Sequence, residues 1–467
     1  LVKLSVKVRA KKDRGFFRLP VDRAFSMKGF GTVVTGTVVS GALKVGDEVE
    51  ILPSKLATKI RGIQSHGKDV SSVQLGDRAA LNLSNIDRTR VTRGLQLASK
   101  GFIEPSGAIG AEFSLLPSTE RVVRNEQRVR IHLGTDEVMA KVRLVNPGKR
   151  KVVNPGEAST ALIELEKAVA VAIDDPFILR FYSPLETIGG GVIIDTQPPS
   201  SWKECKRWLQ SLEGLIRSER LKKFLVATEN EPLTMKGWSQ RWQLSEPVFR
   251  ELLRSLSIKE FGPKENPFVT LVSSLENQKR ACVEAVDNFH EQSPYQRGIP
   301  KDRLRQILGF HASLFDYITH ELESEKKIEA VEGIVRIQGF HVELTGKDTE
   351  LASRLEKALK DSLYTPPVIK QLAELIDLPE AKTLQLMHVL KGQGKAEEVS
   401  RNLWFHVETL TVMENEIRRF FEDKASMAVN DFKSLTHTTR KHAIPLLEYL
   451  DDRRITRREG DQRVLSK

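Results

Sequence analysis

The chain has 467 residues, 40% hydrophobic and 29% charged, with 73 Lys and Arg against 62 Asp and Glu, a net charge of +11. It is too long for one hydrophobic core, so several domains are expected. No stretch approaches the roughly 18 apolar residues of a membrane-spanning helix, Leu1-Val2-Lys3-Leu4 does not open a signal peptide, and the two distant cysteines, Cys205 and Cys282, argue against a disulfide scaffold or zinc site and fit a reducing cytoplasm.

The positive excess is uneven. Residues 1–103 hold 19 Lys and Arg against 8 Asp and Glu, which accounts for all of it. A concentrated positive field attracts phosphate backbones, so nucleic acid is the expected partner; a solubilising surface is the plainer alternative.

In chain order, residues 1–15 read as a linker. Residues 16–103 and 104–198 read as two β-barrels, in which Val, Thr and Ile runs alternate with Gly and Asp turns. Thr32-Val33-Val34-Thr35, Thr37-Val38-Val39 and Glu48-Val49-Glu50-Ile51-Leu52 are expected strands. The break between barrels falls near Phe102–Gly107, and Pro198-Pro199 ends the second. From Trp202 amphipathic helices take over, in a unit repeating about every 60 to 70 residues. Each unit closes with a Leu-rich helix and a hairpin, the pattern of a winged helix. The four units read as 199–272, 273–345, 346–410 and 411–467. The fold class expected is therefore β followed by α+β: two barrels and four tandem winged helices.

No nucleotide-binding motif is legible. Gly62-Ile63-Gln64-Ser65-His66-Gly67-Lys68-Asp69 ends in Asp where a P-loop needs a hydroxyl for Mg²⁺, and it lies in β texture where a P-loop opens a helix. It reads as a hairpin turn. No Asp is followed three residues later by Gly, no Asn-Lys-x-Asp occurs, and no catalytic site or metal site is expected.

Gly29-Phe30-Gly31-Thr32-Val33-Val34-Thr35-Gly36-Thr37-Val38, followed by Lys44–Ile51, Arg78–Leu83 and Arg93-Gly94, resembles the second domain of translational GTPases such as elongation factor Tu. Phe17–Phe25 and Arg61–His66 resemble the version found in bacterial selenocysteine-specific elongation factors. The resemblance implies that the first barrel grips the aminoacyl end of a tRNA, with Asp22, Arg23 and Arg78 around the selenocysteyl group. A selenol is more acidic than a thiol, so that side chain is an anion at neutral pH and suits a cationic pocket, whereas neutral serine would not repay desolvation of an Arg pair. An Asp22–Arg23 ion pair at a strand end is the structural alternative. Arg121–Arg124 and Lys149-Arg150-Lys151 of the second barrel could meet tRNA phosphates or be solvated turns.

The last unit carries the second cationic site. Asn430–Leu435 reads as a short helix and Thr436-His437 as a turn, with the Thr438 or Thr439 hydroxyl capping the next helix. Arg440 and Lys441 fall in that helix's first turn, where the backbone dipole is already positive; their placement makes sense with a phosphate or base edge opposite. Ala443, Ile444, Leu446, Leu447 and Leu450 are the expected buried face, with a bend at Pro445. The wing carries Arg457 and Arg458. Thr439–Asp451 and Thr456–Leu465 resemble the terminal winged helix of selenocysteine-specific factors. That resemblance implies binding of the selenocysteine-insertion hairpin of a messenger RNA by Arg440, Lys441, His442, Arg457 and Arg458, although many members carry Tyr where His442 stands. The first three winged helices, with the weaker Gln240-Arg241-Trp242 and Lys301-Asp302-Arg303, are expected to be spacer and hinge.

The resemblance implies a monomeric, cytoplasmic elongation factor that binds selenocysteyl-tRNA, the mRNA hairpin and the ribosome and directs recoding of UGA. The chain would be its remainder without the N-terminal GTPase domain, to which GTP and Mg²⁺ would belong. A tandem winged-helix DNA-binding regulator is the rival reading.

Overall fold

Alternating Val, Leu and Ile residues place one face of each early strand inward and the other in solvent, which is the condition for closing a small antiparallel barrel. The structure, a computed structural model, describes residues 13–27, 31–146, 151–342, 344 and 346–466. Gly29 and Phe30 of the glycine motif, Lys149 and Arg150, and residues 1–12 of the expected linker lie outside the described residues. The chain forms two compact units, Leu1–Glu276 and Asn277–Lys467.

The first unit opens with β1 (Arg18–Met27), β2 (Gly31–Thr37), β3 (Ala42–Lys44), β4 (Glu48–Leu52), β5 (Leu56–Ser65), β6 (Lys68–Val70), β7 (Ser72–Gln74), β8 (Arg78–Leu83) and β9 (Gln96–Ala98). The order β4-β9-β1-β2-β8-β5, with β5 returning to β4, closes a six-stranded barrel around Leu19, Val21, Val34, Ile51, Leu81 and Leu97. Gly36 on β2 admits no side chain, because a Cβ there would sit inside the Pro20 carbonyl. The two short strands expected around Gly36 are one strand ending at Thr37; Val38 and Val39 follow it and bond singly to Asp77 and Arg18. The P-loop-like string Gly62–Asp69 occupies the β5–β6 hairpin, turning at His66-Gly67.

The second barrel comprises β10 (Ser106–Leu115), β11 (Val123–Arg124), β12 (Gln127–Leu133), β13 (Asp136–Leu144), β14 (Val152–Val153), β15 (Ala158–Val169), β16 (Pro176–Arg180) and β17 (Thr187–Asp195). It closes in the order β10-β15-β13-β12-β16-β17. Gly191 lets β17 press on β10, since a Cβ would strike the Glu112 carbonyl.

Buried charge joins the barrels. Asp175 binds Arg18 at 2.6 Å and Arg14 at 3.1 Å. Burial alone would raise the Asp175 carboxyl, but Arg18 and Arg14 outweigh it and hold the group below its ordinary range.

The helices begin with α1 (Trp202–Leu212), α2 (Arg217–Ala227), α3 (Met235–Arg241) and α4 (Glu246–Leu253), then the wing β18 (Ile258–Phe261) and β19 (Phe268–Leu271). This first winged helix is not a free spacer. Leu209, Trp238, Trp242 and Phe249 share one core with Val145, Leu162, Ile173 and Ile194 of the second barrel. Arg241 binds the fully buried Asp195 at 2.5 Å, and Trp208 Nε1 donates to the same carboxylate at 2.6 Å. Gln240-Arg241-Trp242 is thus part of an interior joint.

Helix α5 (Val272–Gln292) leads through β20 (Ile299–Pro300) to α6 (Lys301–Leu308), α7 (Ala312–Ser324), β21 (Ile328–Val331) and β22 (Ile334–Ile337), the second winged helix. The third is α8 (Lys347–Asp361), α9 (Ile369–Ile376), α10 (Glu380–Gly392), β23 (Ala396–Ser400) and β24 (Leu403–His406). The fourth is α11 (Val407–Asp423), β25 (Met427–Ala428), α12 (Val429–Thr436), α13 (Arg440–Asp452), β26 (Thr456–Glu459) and β27 (Gln462–Leu465). Leu403 and Phe405 of the third unit's wing enter the core of the fourth with Met413, Phe432, Leu446 and Leu450. Two barrels followed by winged helices is the fold class read from the sequence. No helix among the described residues is long and apolar enough to cross a membrane.

Candidate nucleic-acid interface

In the first barrel the ladder register decides which side chains meet. Cross-strand partners share a face, and β1, β2 and β8 align Arg23 with Thr35 and Thr35 with Ala80; Thr37 lies opposite Arg78. A register shift between Val21 and Arg23 marks a bulge at Asp22. Asp22 accepts the Thr35 hydroxyl at 2.6 Å and forms an ion pair with Arg78. The structural alternative, a pair between Asp22 and Arg23, does not form. Arg78 stays 52% exposed on its side chain despite this contact. Arg23 is exposed and has no carboxylate partner among the described residues. The three residues gather on one outer face, and two guanidinium groups against one carboxylate leave it cationic.

Met27, Val33, Ile63, Gln64, Asp69 and Asn82, from β1, β2, β5, β6 and β8, line a cleft of about 60 Å³. Gln64 holds Asp69 at 2.9 Å, and Asn82 Oδ1 is buried without a partner among the described residues. Sequence reasoning passed over Asn82. The available signal is the spacing Arg78, Ala80, Asn82, which puts all three on the outward face of β8, while Ala79, Leu81 and Leu83 enter the core. In the second barrel Arg121 meets Glu186 at 3.3 Å and lies over Phe181, whereas Arg124 is exposed.

In the fourth winged helix, α12 ends at His437, which adopts a left-handed φ of 50°, and Thr439 precedes α13 as its N-cap. The expected capping bond is absent: the Thr439 hydroxyl faces His442 Nδ1 at 3.3 Å, and the Thr438 hydroxyl donates to the Tyr364 carbonyl at 3.0 Å. The Thr438 hydroxyl is therefore taken by the preceding domain, and the Thr439 hydroxyl by a ring one turn along its own helix. Arg440 and Lys441 open the helix, exposed and without a carboxylate among the described residues. Pro445 lies inside α13 without ending it, and has no N–H to give the Lys441 carbonyl.

His442 is placed differently from Arg440 and Lys441. It is buried, with the Pro366 backbone of the third winged helix as a hydrogen-bond partner. Burial, then Lys441, lowers its pKa from the usual 6.5, against the opposing effect of the Pro366 carbonyl. In this geometry the ring packs behind the helix start and is only 9% exposed. Ile444, expected in the core, is exposed. In the wing, Arg457 is 69% exposed and paired with Glu459, and Arg458 donates to the Gly460 carbonyl at 3.0 Å. Arg463 turns inward, buried, and binds Asp451 at 2.8 Å; Thr456 donates to the other Asp451 oxygen at 2.6 Å.

Two closed barrels with a translation-factor glycine motif, followed by winged helices, define the fold of a translation elongation factor. The families matched agree. Elongation factor Tu domain 2 covers residues 31–98, the β-barrel domain of selenocysteine-specific elongation factor covers 112–200, and the winged helix of elongation factor SelB covers 283–337 and 419–465. The selenocysteine-specific elongation factor of Desulfomicrobium baculatum is 30% identical over all of this chain and 74% of its own length. That of Escherichia coli (strain K12) is 23% identical over 99% of this chain and 72% of its own length. A crystal structure of a bacterial selenocysteine-specific elongation factor, EF-Sec, superposes with a TM-score of 0.52 at 21% identity, covering the whole chain and 72% of the other, which establishes likeness of fold. The chain belongs to the selenocysteine-specific elongation factor family.

Proposed function

We propose that this chain is an adaptor: the first barrel holds the selenocysteyl end of a tRNA through Arg23 and Arg78, with Asp22 setting the Arg78 geometry. The fourth winged helix holds a messenger RNA hairpin through Arg440, Lys441, Arg457 and Arg458, with His442 bracing the helix from behind. Joining the two sites in one chain raises the tRNA's effective concentration at the recoded UGA codon. The factor would work as a monomer beside the ribosome in the cytoplasm. On this reading GTP and Mg²⁺ are handled by no residue of the β5–β6 hairpin, where the one P-loop-like string lies.

The observation that carries the proposal is the contrast within the last domain. Arg463 is buried and neutralised by Asp451, while Arg440 and Lys441 have no carboxylate partner among the described residues and stand at a helix N-terminus, where like charge costs stability. A ligand anion relieves that cost. A regular A-form groove is too deep and narrow for a recognition helix, so the expected contacts are loop bases and backbone.

Calorimetry with an insertion-type RNA hairpin and a duplex DNA of equal charge tests this against a DNA-binding regulator. The proposal expects the hairpin to be bound more tightly and the Arg440→Ala variant to lose about 1–3 kcal/mol of that affinity. Preference for the DNA duplex, or an unchanged hairpin affinity, contradicts it.

A further inference from the structure

Within the second unit, a cleft of 280 Å³ lies between the second and third winged helices, away from the hairpin-binding helix tip in sequence and in domain. Tyr295, Arg297, Arg336, Phe340, His341 and His388 line it, and no carboxylate does among the described residues. Its chemistry differs from a leftover gap between packed domains in three ways.

First, Arg297 is exposed and, among the described residues, spends only one of its five N–H donors, on the Gly392 carbonyl at 3.3 Å. Gly392 makes this possible: an added Cβ would press on the guanidinium at 3.2 Å. The head group is thus laid across the boundary between the two domains with most of its donors unspent. Arg336 contributes a second guanidinium, anchored by Glu329 at 2.8 Å.

Second, the aromatic wall is held in place. Phe340 stacks on His290 with ring centroids 3.5 Å apart and planes 20° apart. His290 is itself buried and fixed by the Ile337 amide, which donates to Nε2 at 3.2 Å. A ring backed on one face by a fixed imidazole is a ready stacking platform for a flat ligand on the other. Third, His341 and His388 are exposed, and a neutral imidazole offers one donor and one acceptor, the complement of a base edge.

A guanidinium on Arg297 for a phosphate, a braced ring for a base and a volume of single-nucleotide size occur together. Single-stranded nucleic acid is recognised by this combination, stacking on aromatic rings beside a basic track. A phosphorylated peptide would use the arginines but not the platform. We propose that this cleft binds one unpaired nucleotide of an RNA strand, with Phe340 stacked on the base and Arg297 on the phosphate. The site is independent of both end sites and gives the middle of the chain an RNA contact of its own.

The test uses the full 467-residue chain and a fluorescein-labelled, mixed-sequence single-stranded RNA about 12 nucleotides long containing 4-thiouridine. Photo-crosslinked peptides should map to residues 295–297 or 338–342. Arg297→Glu, a change at an exposed tip that leaves the core untouched, should raise the dissociation constant at least about tenfold. Phe340→Leu, which keeps apolar volume but removes the ring, should weaken binding and erase the crosslink. Hairpin affinity through the last domain, followed with a separately labelled stem-loop, should be unchanged in both, so failure here and failure of the adaptor reading are distinguishable. Crosslinks confined to other segments, or equal affinity in Arg297→Glu, would overturn the proposal. So would a phosphoserine peptide that occupies the cleft more tightly than the RNA.

Discussion

Arg457 and Arg463 stand six positions apart in one wing, yet one is 69% exposed and the other buried. Strand alternation separates them, and Asp451 at the end of α13 fixes the inward one together with Thr456. Replacing Asp451 by Ala leaves a buried guanidinium without its counter-charge and should cost about 3 kcal/mol of local stability. Hydrogen exchange at the amides of 456–465 reads this directly, and unchanged protection there would contradict the assigned role. In the first barrel the weight falls on Arg23 and Arg78. Arg23→Ala and Arg78→Ala should each reduce discrimination between selenocysteyl- and seryl-tRNA by about 1.5–3 kcal/mol, the range of a charge-assisted bond. Competition binding measures it, and equal discrimination in the variants contradicts the socket.

At the scale of elements, α13 is held by the domain before it. Thr438 reaches the Tyr364 carbonyl, His442 is buried on that side, and the Tyr364 hydroxyl donates to Glu416 at 3.0 Å. His442 and His290 both have pKa values lowered from the usual 6.5, in each case chiefly by burial. The unfolded chain therefore takes up protons first as pH falls. Stability present above about pH 6.5 is lost as pH drops towards the folded-state values. The urea midpoint of the second unit should decrease between about pH 7.5 and about pH 5.5, and a rise would contradict this assignment. The same elements show what a sequence reveals. Period and turn chemistry made the strands of both barrels and the four Leu-rich helices with their hairpins legible. Arg440 and Lys441 at the start of α13 were legible because the apolar stripe and a Thr at the N-cap position mark a helix start, although the Thr439 hydroxyl makes no capping bond. The inward turn of His442 and the exposure of Ile444 were not: both flank the apolar stripe, and only the neighbouring domain decides which flank is covered. Nor could local pattern show that Arg241 and Trp242 belong to a joint with the second barrel, because Asp195, the partner of Arg241, lies on a barrel strand 46 residues earlier. The Asp22–Arg78 contact likewise depends on register between strands distant in sequence.

For the whole molecule, the first winged helix shares its core with the second barrel, and the third shares its wing with the core of the fourth. Rigid pairs of this kind suit an adaptor, since tethering gains most when each end site is firmly carried. The central claim is that exposed cations at the tip of α13 contact an RNA backbone. Each phosphate contact releases bound counterions and steepens the dependence of affinity on salt. The most direct measurement is hairpin affinity of the 467-residue chain across a salt series, for the native sequence and for the Arg440→Ala, Lys441→Ala double variant. The expected result is weaker binding in the variant, with the slope of log affinity against log salt reduced by about two. Superimposable salt plots for the two proteins would contradict the account.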